Sequence, residues 1–252
     1  MSVLVTNGLT KVYDGKIPYT ALKNVSIEVD EGDFVAIMGP SGSGKSTFLN
    51  VISTIDCPTG GTVSINGKDP HKMNDEQLAD FRRTKLGFVF QNFNLVDTLT
   101  VEENIMLPLT FAGIPVNTMK QKVAEVAELL GISHLLPKRT YEISGGQAQR
   151  TAVARAVIMK PSLLLADEPT GNLDSKASKD VMELFTKLNS SMNATILMVT
   201  HDSFVASYCK KVWIIKDGQL YQQIHRGDNQ MQFYHKINEA MNLLGGSEYD
   251  TI

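Results

Sequence analysis

The sequence predicts an α/β fold with a largely parallel sheet, an antiparallel layer from the N-terminal strands and a helical insertion. Three observations carry this prediction. Apolar runs of strand length recur at Phe34 to Met38, Gly87 to Phe90, Leu163 to Ala166, Thr195 to Val199 and Val212 to Ile215. Helical patterns separate several of them, and parallel neighbours need such crossovers. Val25, Ile27 and Val29 alternate with polar residues, and Gly61 to Gly67 reads as a short strand with a turn at each end. Residues 92–142 lack this patterning and read as helices.

Taken in order, Phe34 to Met38 leads directly into a Gly-rich loop, and Phe48, Leu49, Val51 and Ile52 mark an apolar helix after it. Thr100 and Glu103 have capping-box spacing and open a helix that Pro108 should kink or end. Thr118 is placed to cap a second helix with Val123, Val126, Ala127 and Leu130 on one face, closed by Gly131. Met231, Phe233, Ile237, Met241 and Leu244 fit an amphipathic tail helix ending at Gly245-Gly246. Its apolar face can dock on the body or meet a partner, and the sequence leaves both open. The expected division is one domain over 1–252: an α/β core at 1–91 and 143–218, a helical subdomain at 92–142, and a C-terminal hairpin strand with tail helix at 219–252.

Composition sets the outer limits. The 252 residues carry 24 Lys+Arg against 27 Asp+Glu, a formal charge of −3, with 42% hydrophobic residues. That balance excludes a disordered chain, and no basic domain for nucleic acid is present. Cys57 and Cys209 lack any metal-ligand spacing, which fits a reduced, cytosolic chain. The start has no basic-then-apolar leader, and no apolar stretch approaches the roughly 20 residues of a membrane span.

The strongest local motif is Gly39-Pro40-Ser41-Gly42-Ser43-Gly44-Lys45-Ser46, a GxxxxGK[ST] loop between a strand and a helix. Polyphosphate needs many converging N–H donors. Glycines let the backbone approach, and the helix N-terminus adds partial positive charge. Lys45 would reach the β- and γ-phosphates, Ser46 would ligate Mg²⁺, and the nucleotide contact extends to Thr47. By itself the motif says that a nucleoside triphosphate binds.

Leu163 to Ala166 ends in Asp167 and Glu168. Asp167 would hold Mg²⁺ through water, and Glu168 would polarise the attacking water as a general base. Read alone, the same pair could cap the helix expected near 175–190. The run to Val199 likewise ends near His201, at the sheet edge where ligands of open α/β sheets bind, so His201 could contact the γ-phosphate and sense its loss. Gln91, after the strand at 87–90, is an acceptable neutral ligand for Mg²⁺ or water. Ser144-Gly145-Gly146-Gln147 forms another capped, glycine-rich helix start, hence a second anion site. One phosphate loop already accommodates one nucleotide's phosphates, so this second site is expected to face the γ-phosphate bound to another subunit.

Together these motifs resemble the ATP-binding-cassette (ABC) ATPases over nearly the whole chain. Residues 39–46 are similar to Walker A, Leu163 to Asp167 with Glu168 to Walker B, and Ile143 to Gln147 to the signature, with Ile143 in place of the usual Leu. Gln91 resembles the Q-loop residue, Asn172-Leu173-Asp174 the D-loop and His201 the switch histidine. Tyr13 resembles the aromatic that stacks on adenine; alone it is an ordinary strand tyrosine. The resemblance implies a P-loop NTPase core of ABC type that hydrolyses ATP with Mg²⁺ held by Ser46, Gln91 and Asp167. It also implies an ATP-dependent homodimer, with Ser144 to Gln147 and Asp174 acting in trans. A separate membrane permease would dock on the helical insertion at the cytoplasmic face of a bacterial membrane.

Residues 87–109 and 166–176 resemble the branch of macrolide-export, lipoprotein-release and cell-division ATPases. Residues 200–221 and 233–246 are most similar to the bacitracin-export type, which implies antimicrobial-peptide resistance and a sensor kinase reached through the permease. The alternatives are an ATPase of a related lipoprotein-release, macrolide-export or cell-division complex, and a non-transport ABC protein. The last usually carries two cassettes or a long coiled coil, and neither is present here.

Overall fold

Strand β3 (Phe34–Met38) is buried along its whole length, the state expected of an uninterrupted apolar run in a parallel sheet. The computed structural model describes residues 1–245. β3 lies inside a six-stranded sheet with β5 (Leu86–Val89), β6 (Leu163–Asp167), β7 (Ile196–Val199), β8 (Lys211–Lys216) and β9 (Gln219–His225). The order is β5-β6-β7-β3-β8-β9, parallel except for the β8–β9 hairpin. A second sheet, β2-β1-β4, pairs β1 (Ser2–Tyr13) antiparallel with β2 (Tyr19–Asp30) and β4 (Gly60–Ile65).

The two-residue period of a strand divides β3 between two cores. Phe34, Ala36 and Met38 pack with Leu164, Ala166, Ile196 and Met198 on one face. Val35 and Ile37 pack with Leu163, Leu165, Leu197 and Val199 on the other. That second face is covered by helix α1 (Lys45–Ile52) and the antiparallel sheet. The first is covered by α5 (Gly145–Val157) and α6 (Ser175–Met192). Helix α2 (Asp75–Lys85) precedes β5. Register brings Ile37 and Asp167 opposite Val199, so the C-terminal ends of β3, β6 and β7 share one edge.

The insertion is built from α3 (Val101–Phe111) and α4 (Val116–Leu129), and two details differ from expectation. The Thr100–Glu103 capping box forms, but α3 continues through Pro108 to Phe111. Buried Val101, Ile105 and Leu109 hold one face of the helix in the core, and that packing outweighs the single missing N–H. Helix α4 starts at Val116 with Pro115 at its N-cap, so Thr118 sits inside the first turn and caps nothing. Gly131 closes it as expected, with φ 68° and the Ile132 N–H on the Ala127 carbonyl at 2.8 Å.

The tail helix α8 (Gln230–Gly245) follows the short helix α7 (Ser203–Ala206) and the β8–β9 hairpin. Phe233, Ile237, Ala240 and Leu244 are buried in the main core, so the tail face is docked on the body. Met231, expected on that face, is 62% exposed; Gly246 lies outside the described residues. No helix among the described residues is long and apolar enough to cross a membrane.

Candidate nucleotide site

The 39–46 loop is pressed against the sheet by its glycines. Gly39 has φ 150°, and a Cβ there would lie 2.0 Å from the Ile215 carbonyl oxygen. At Gly44, φ 103°, a Cβ would lie 2.4 Å from the Ala21 carbonyl oxygen. Neither space accepts a side chain. Gly42, by contrast, has open space around its missing Cβ. Pro40, Ser41 and Gly42 form the outer rim, while Ser46 and Thr47 occupy the first turn of α1.

Three features fit this cradle to an anion. Helix α1 begins with no side-chain cap and no acidic residue in its first turn, which leaves its leading N–H groups for a ligand. The Ser43 hydroxyl is buried with no hydrogen-bond partner among the described residues. Lys45 Nζ donates to the Gly39 and Pro40 carbonyls at 2.9 and 2.8 Å, arched over the loop. Burial holds the Lys45 ammonium below its ordinary pKa, opposed by the charges of Glu168 and Asp167.

Those carboxylates stand at the end of β6. Burial, then the neighbouring Glu168, pushes the Asp167 carboxyl above its ordinary pKa, with Lys45 opposing. Glu168 has φ 45°, a left-handed conformation that non-glycine residues seldom adopt and that clusters at functional sites. Its N–H bonds to the Val199 carbonyl at 2.9 Å and its carbonyl accepts from the Gly171 N–H at 3.0 Å. His201 Nδ1 lies 2.9 Å from Glu168 Oε1, so the two are joined directly.

Gln91 lies just beyond β5. Its Nε2 donates to Asn172 Oδ1 at 3.3 Å, and Asn172 Nδ2 returns to the Gln91 carbonyl at 3.1 Å. The Gln91 amide is therefore engaged with the 171–174 turn in this conformation. Arg155 of α5 donates to the Phe93 and Asn94 carbonyls at 3.0 and 2.6 Å, holding two residues with left-handed backbone.

The Ser144 start of α5 is a complete capping box: Ser144 Oγ accepts the Gln147 N–H and Gln147 Oε1 accepts the Ser144 N–H. A Cβ on Gly145 would sit 3.4 Å from Leu173, and one on Gly146 would sit 3.2 Å from Ala177. Asp174 caps α6 through the Ala177 N–H, 2.8 Å away, so the two helix starts are neighbours. Ser144, Gly146, Gln147 and Asp174 line a cleft of about 320 Å³ in which no residue of 39–47 takes part. Thus the residues divide into two groups: the loop, the β6 and β7 ends in one, and the Ser144 and Asp174 helix starts in the other.

Sequence reasoning missed Gln149. It is fully buried, and its Nε2 donates to the Pro169 carbonyl at 2.5 Å, tying α5 to the turn after Glu168. No sequence pattern marked it, because a polar residue on an amphipathic helix is ordinarily solvated. Tyr19 was also missed: it pairs across the hairpin with Tyr13, and its hydroxyl donates to the Gly42 carbonyl at 3.1 Å. Tyr13 itself ends β1 with its hydroxyl 2.8 Å from Asp56 Oδ2.

The sequence profile described as ABC transporter matches residues 22–171, more than half of the chain. This chain belongs to the ABC transporter family. It is 55% identical, over 99% of its length and 97% of the relative's, to the ABC transporter ATP-binding protein YxdL of Bacillus subtilis. It is 47% identical, over 99% of its length and 100% of the relative's, to the bacitracin export ATP-binding protein BceA of Halalkalibacterium halodurans. Among solved structures it is similar to a dimeric post-hydrolysis state of the ATP-binding cassette MJ0796 bound to ADP and Pi. That similarity has a TM-score of 0.81 at 40% identity, over 89% of this chain and 99% of the other. As a member of the ABC transporter family, the chain is an ATP-binding, ATP-hydrolysing subunit with the cassette fold expected from its motifs.

Proposed function

We propose that two copies of the chain close around two ATP molecules and drive a separate membrane permease for antimicrobial-peptide resistance. Each ATP lies between the 39–47 loop of one copy and the Ser144 to Gln147 helix start of the other, with Asp174 at the same seam. The observation that carries this reading is that the Ser144 and Asp174 helix starts line a cleft of their own, to which no residue of the 39–47 loop contributes. Lys45 and the loop N–H groups hold the phosphates, and Tyr13 stacks on the base. Glu168 orients the attacking water and takes up its proton, while His201 contacts the γ-phosphate. Ser46, Asp167 and Gln91 carry the hard oxygen donors that would hold Mg²⁺, and the ion would supply positive charge for the β- and γ-phosphate oxygens.

ATP supplies attraction across the seam and its hydrolysis removes it, so closure is a two-state element biased by the γ-phosphate. A groove of about 970 Å³ between α2, β5 and α3, lined by Phe88, Phe90, Leu107 and Phe111 with Arg82 and Arg83, supports docking of a permease helix. Gln91 directly follows Phe90 of this groove, which links the nucleotide to the dock. The chain then works at the cytoplasmic face of the membrane, and a sensor kinase is reached only through the permease.

Similarity to the bacitracin-export relative supports the peptide assignment. Deleting the gene for this chain is expected to sensitise cells to bacitracin-like peptides, with rescue by the intact gene and none by a Lys45→Ala copy. Unchanged peptide tolerance after deletion would refute the assignment and leave the ATPase intact.

A further inference from the structure

The aromatic end of β1 is held by more than the sheet. Asp56 lies in the turn beyond α1, at the opposite end of that helix from the phosphate loop, where its N–H bonds to the Asn50 carbonyl at 3.1 Å. Its Oδ2 accepts the Tyr13 hydroxyl at 2.8 Å. Its Oδ1 accepts Lys11 Nζ at 2.5 Å and the Cys57 N–H at 2.7 Å. Lys11 is almost buried, donates also to the Cys57 carbonyl at 2.8 Å, and stands over the Tyr13 ring with Nζ 4.8 Å from its centroid. Across the hairpin, Tyr19 is fastened to the Gly42 carbonyl of the phosphate loop. Both tyrosines of the hairpin end are therefore anchored to the segment that carries α1, one at each end of the helix.

This arrangement is more than a hairpin end needs for stability. Tyr13 and Tyr19 are exposed, and their hydroxyls could be solvated at no cost. The charged, nearly buried Lys11 and the Asp56 carboxylate tie the exposed Tyr13 ring to the turn at Cys57, which both also bond. We propose that Asp56, with Lys11, is a positioning residue for the nucleotide base: it fixes the Tyr13 ring against the phosphate-loop helix with the ammonium on one face, so that the purine stacks on the opposite face. The inference rests on the reading of Tyr13 as the base-stacking residue. Its physical basis is preorganisation: a ring already held in place loses no rotamer freedom when the base arrives. The ammonium over the ring also repels no part of a neutral purine, while its charge is balanced by Asp56.

The test separates the base end of the site from the phosphate end. The full chain and its variants are titrated with ATP and with inorganic tripolyphosphate, which has the phosphates and no base. Tyr13→Phe keeps the ring and deletes the hydroxyl, with its bond to Asp56 and its contact with Thr47; Asp56→Ala deletes the anchor and leaves that hydroxyl in place. Each is expected to bind ATP roughly threefold to tenfold more weakly, the range of one net hydrogen bond. Tripolyphosphate affinity stays at the wild-type value, and the double variant is no worse than the weaker single one. Equal weakening toward both ligands would mark Asp56 as a structural support of the loop and overturn the proposal. Unchanged or tighter ATP binding by Tyr13→Phe would overturn it too. Tyr13→Ala tells the two failures apart. If it weakens ATP while Tyr13→Phe and Asp56→Ala do not, the stacking reading stands and the tether falls; if it leaves ATP unchanged, both fall.

Discussion

His201 Nδ1 lies 2.9 Å from Glu168 Oε1, and the two side chains differ sharply in setting: the carboxylate is 18% exposed and the imidazole 72%. Nδ1 is thus the ring nitrogen turned to the carboxylate. Glu168 is pinned from the backbone side by Val199 and Gly171, and His201 pins it from the side-chain side. The histidine thus holds the Glu168 carboxylate in one orientation, which is the positioning that the proposed role of Glu168 as base requires.

Replacing His201 by Ala removes that orientation and, with it, the proposed contact to the γ-phosphate. The expected result is a kcat for ATP hydrolysis lowered about 10²-fold or more, in line with loss of a catalytic proton-transfer geometry, and an ATP affinity changed far less. Steady-state kinetics together with equilibrium titration checks it.

Asp167 gives a pH signature in the absence of nucleotide. Its carboxyl is raised in the folded chain by burial and by Glu168, so the native state holds a proton that the unfolded chain has lost. Stability therefore falls as pH rises from the ordinary aspartate value through the raised native one, and at neutral pH the ionised group is a cost. Asp167→Asn is expected to raise the melting temperature at pH 7 and to lose that advantage at acid pH, while hydrolysis collapses. Thermal melts across pH are the measurement; equal melting at pH 7 contradicts the assignment.

The seam prediction uses two crippled copies. Lys45→Ala loses ATP affinity by about 10- to 100-fold, the loss of a charge-assisted contact of roughly 1.5–3 kcal/mol. A Ser144 variant keeps ATP affinity but fails to close. Mixing the two should restore part of the activity, because one of the two mixed sites has both intact halves. Proven mixed dimers with no recovered hydrolysis would rule out the trans arrangement.

Much of the site was readable before the structure because phosphate chemistry narrows the choice of residue. At Gly39 and Gly44 the backbone meets the Ile215 and Ala21 carbonyls, and only glycine fits, so the motif is written in the residues themselves. Asp167, Glu168 and His201 were legible from apolar runs that end in polar residues. Tyr13 was legible only through family resemblance, since an aromatic on an exposed hairpin carries no local mark. Asp56, Gln149 and the Gln91–Asn172 pair were not legible, because each acts on a residue distant in sequence. Thr118 misled for the opposite reason, a local rule for helix starts overruled by Pro115; of the two outcomes expected at Pro108, an end to the helix is overruled by the buried stripe that carries α3 on to Phe111.

In the proposed dimer, Glu168 is the residue that activates water between two copies of the chain. Its most direct test is Glu168→Gln, assayed for ATP binding, hydrolysis and size in solution on the same preparation. The expected result is ATP bound with wild-type affinity, hydrolysis slowed by about 10²–10⁴-fold, and an ATP-dependent dimer that persists because the γ-phosphate is not removed. Hydrolysis at the wild-type rate, with no accumulated dimer, would contradict it.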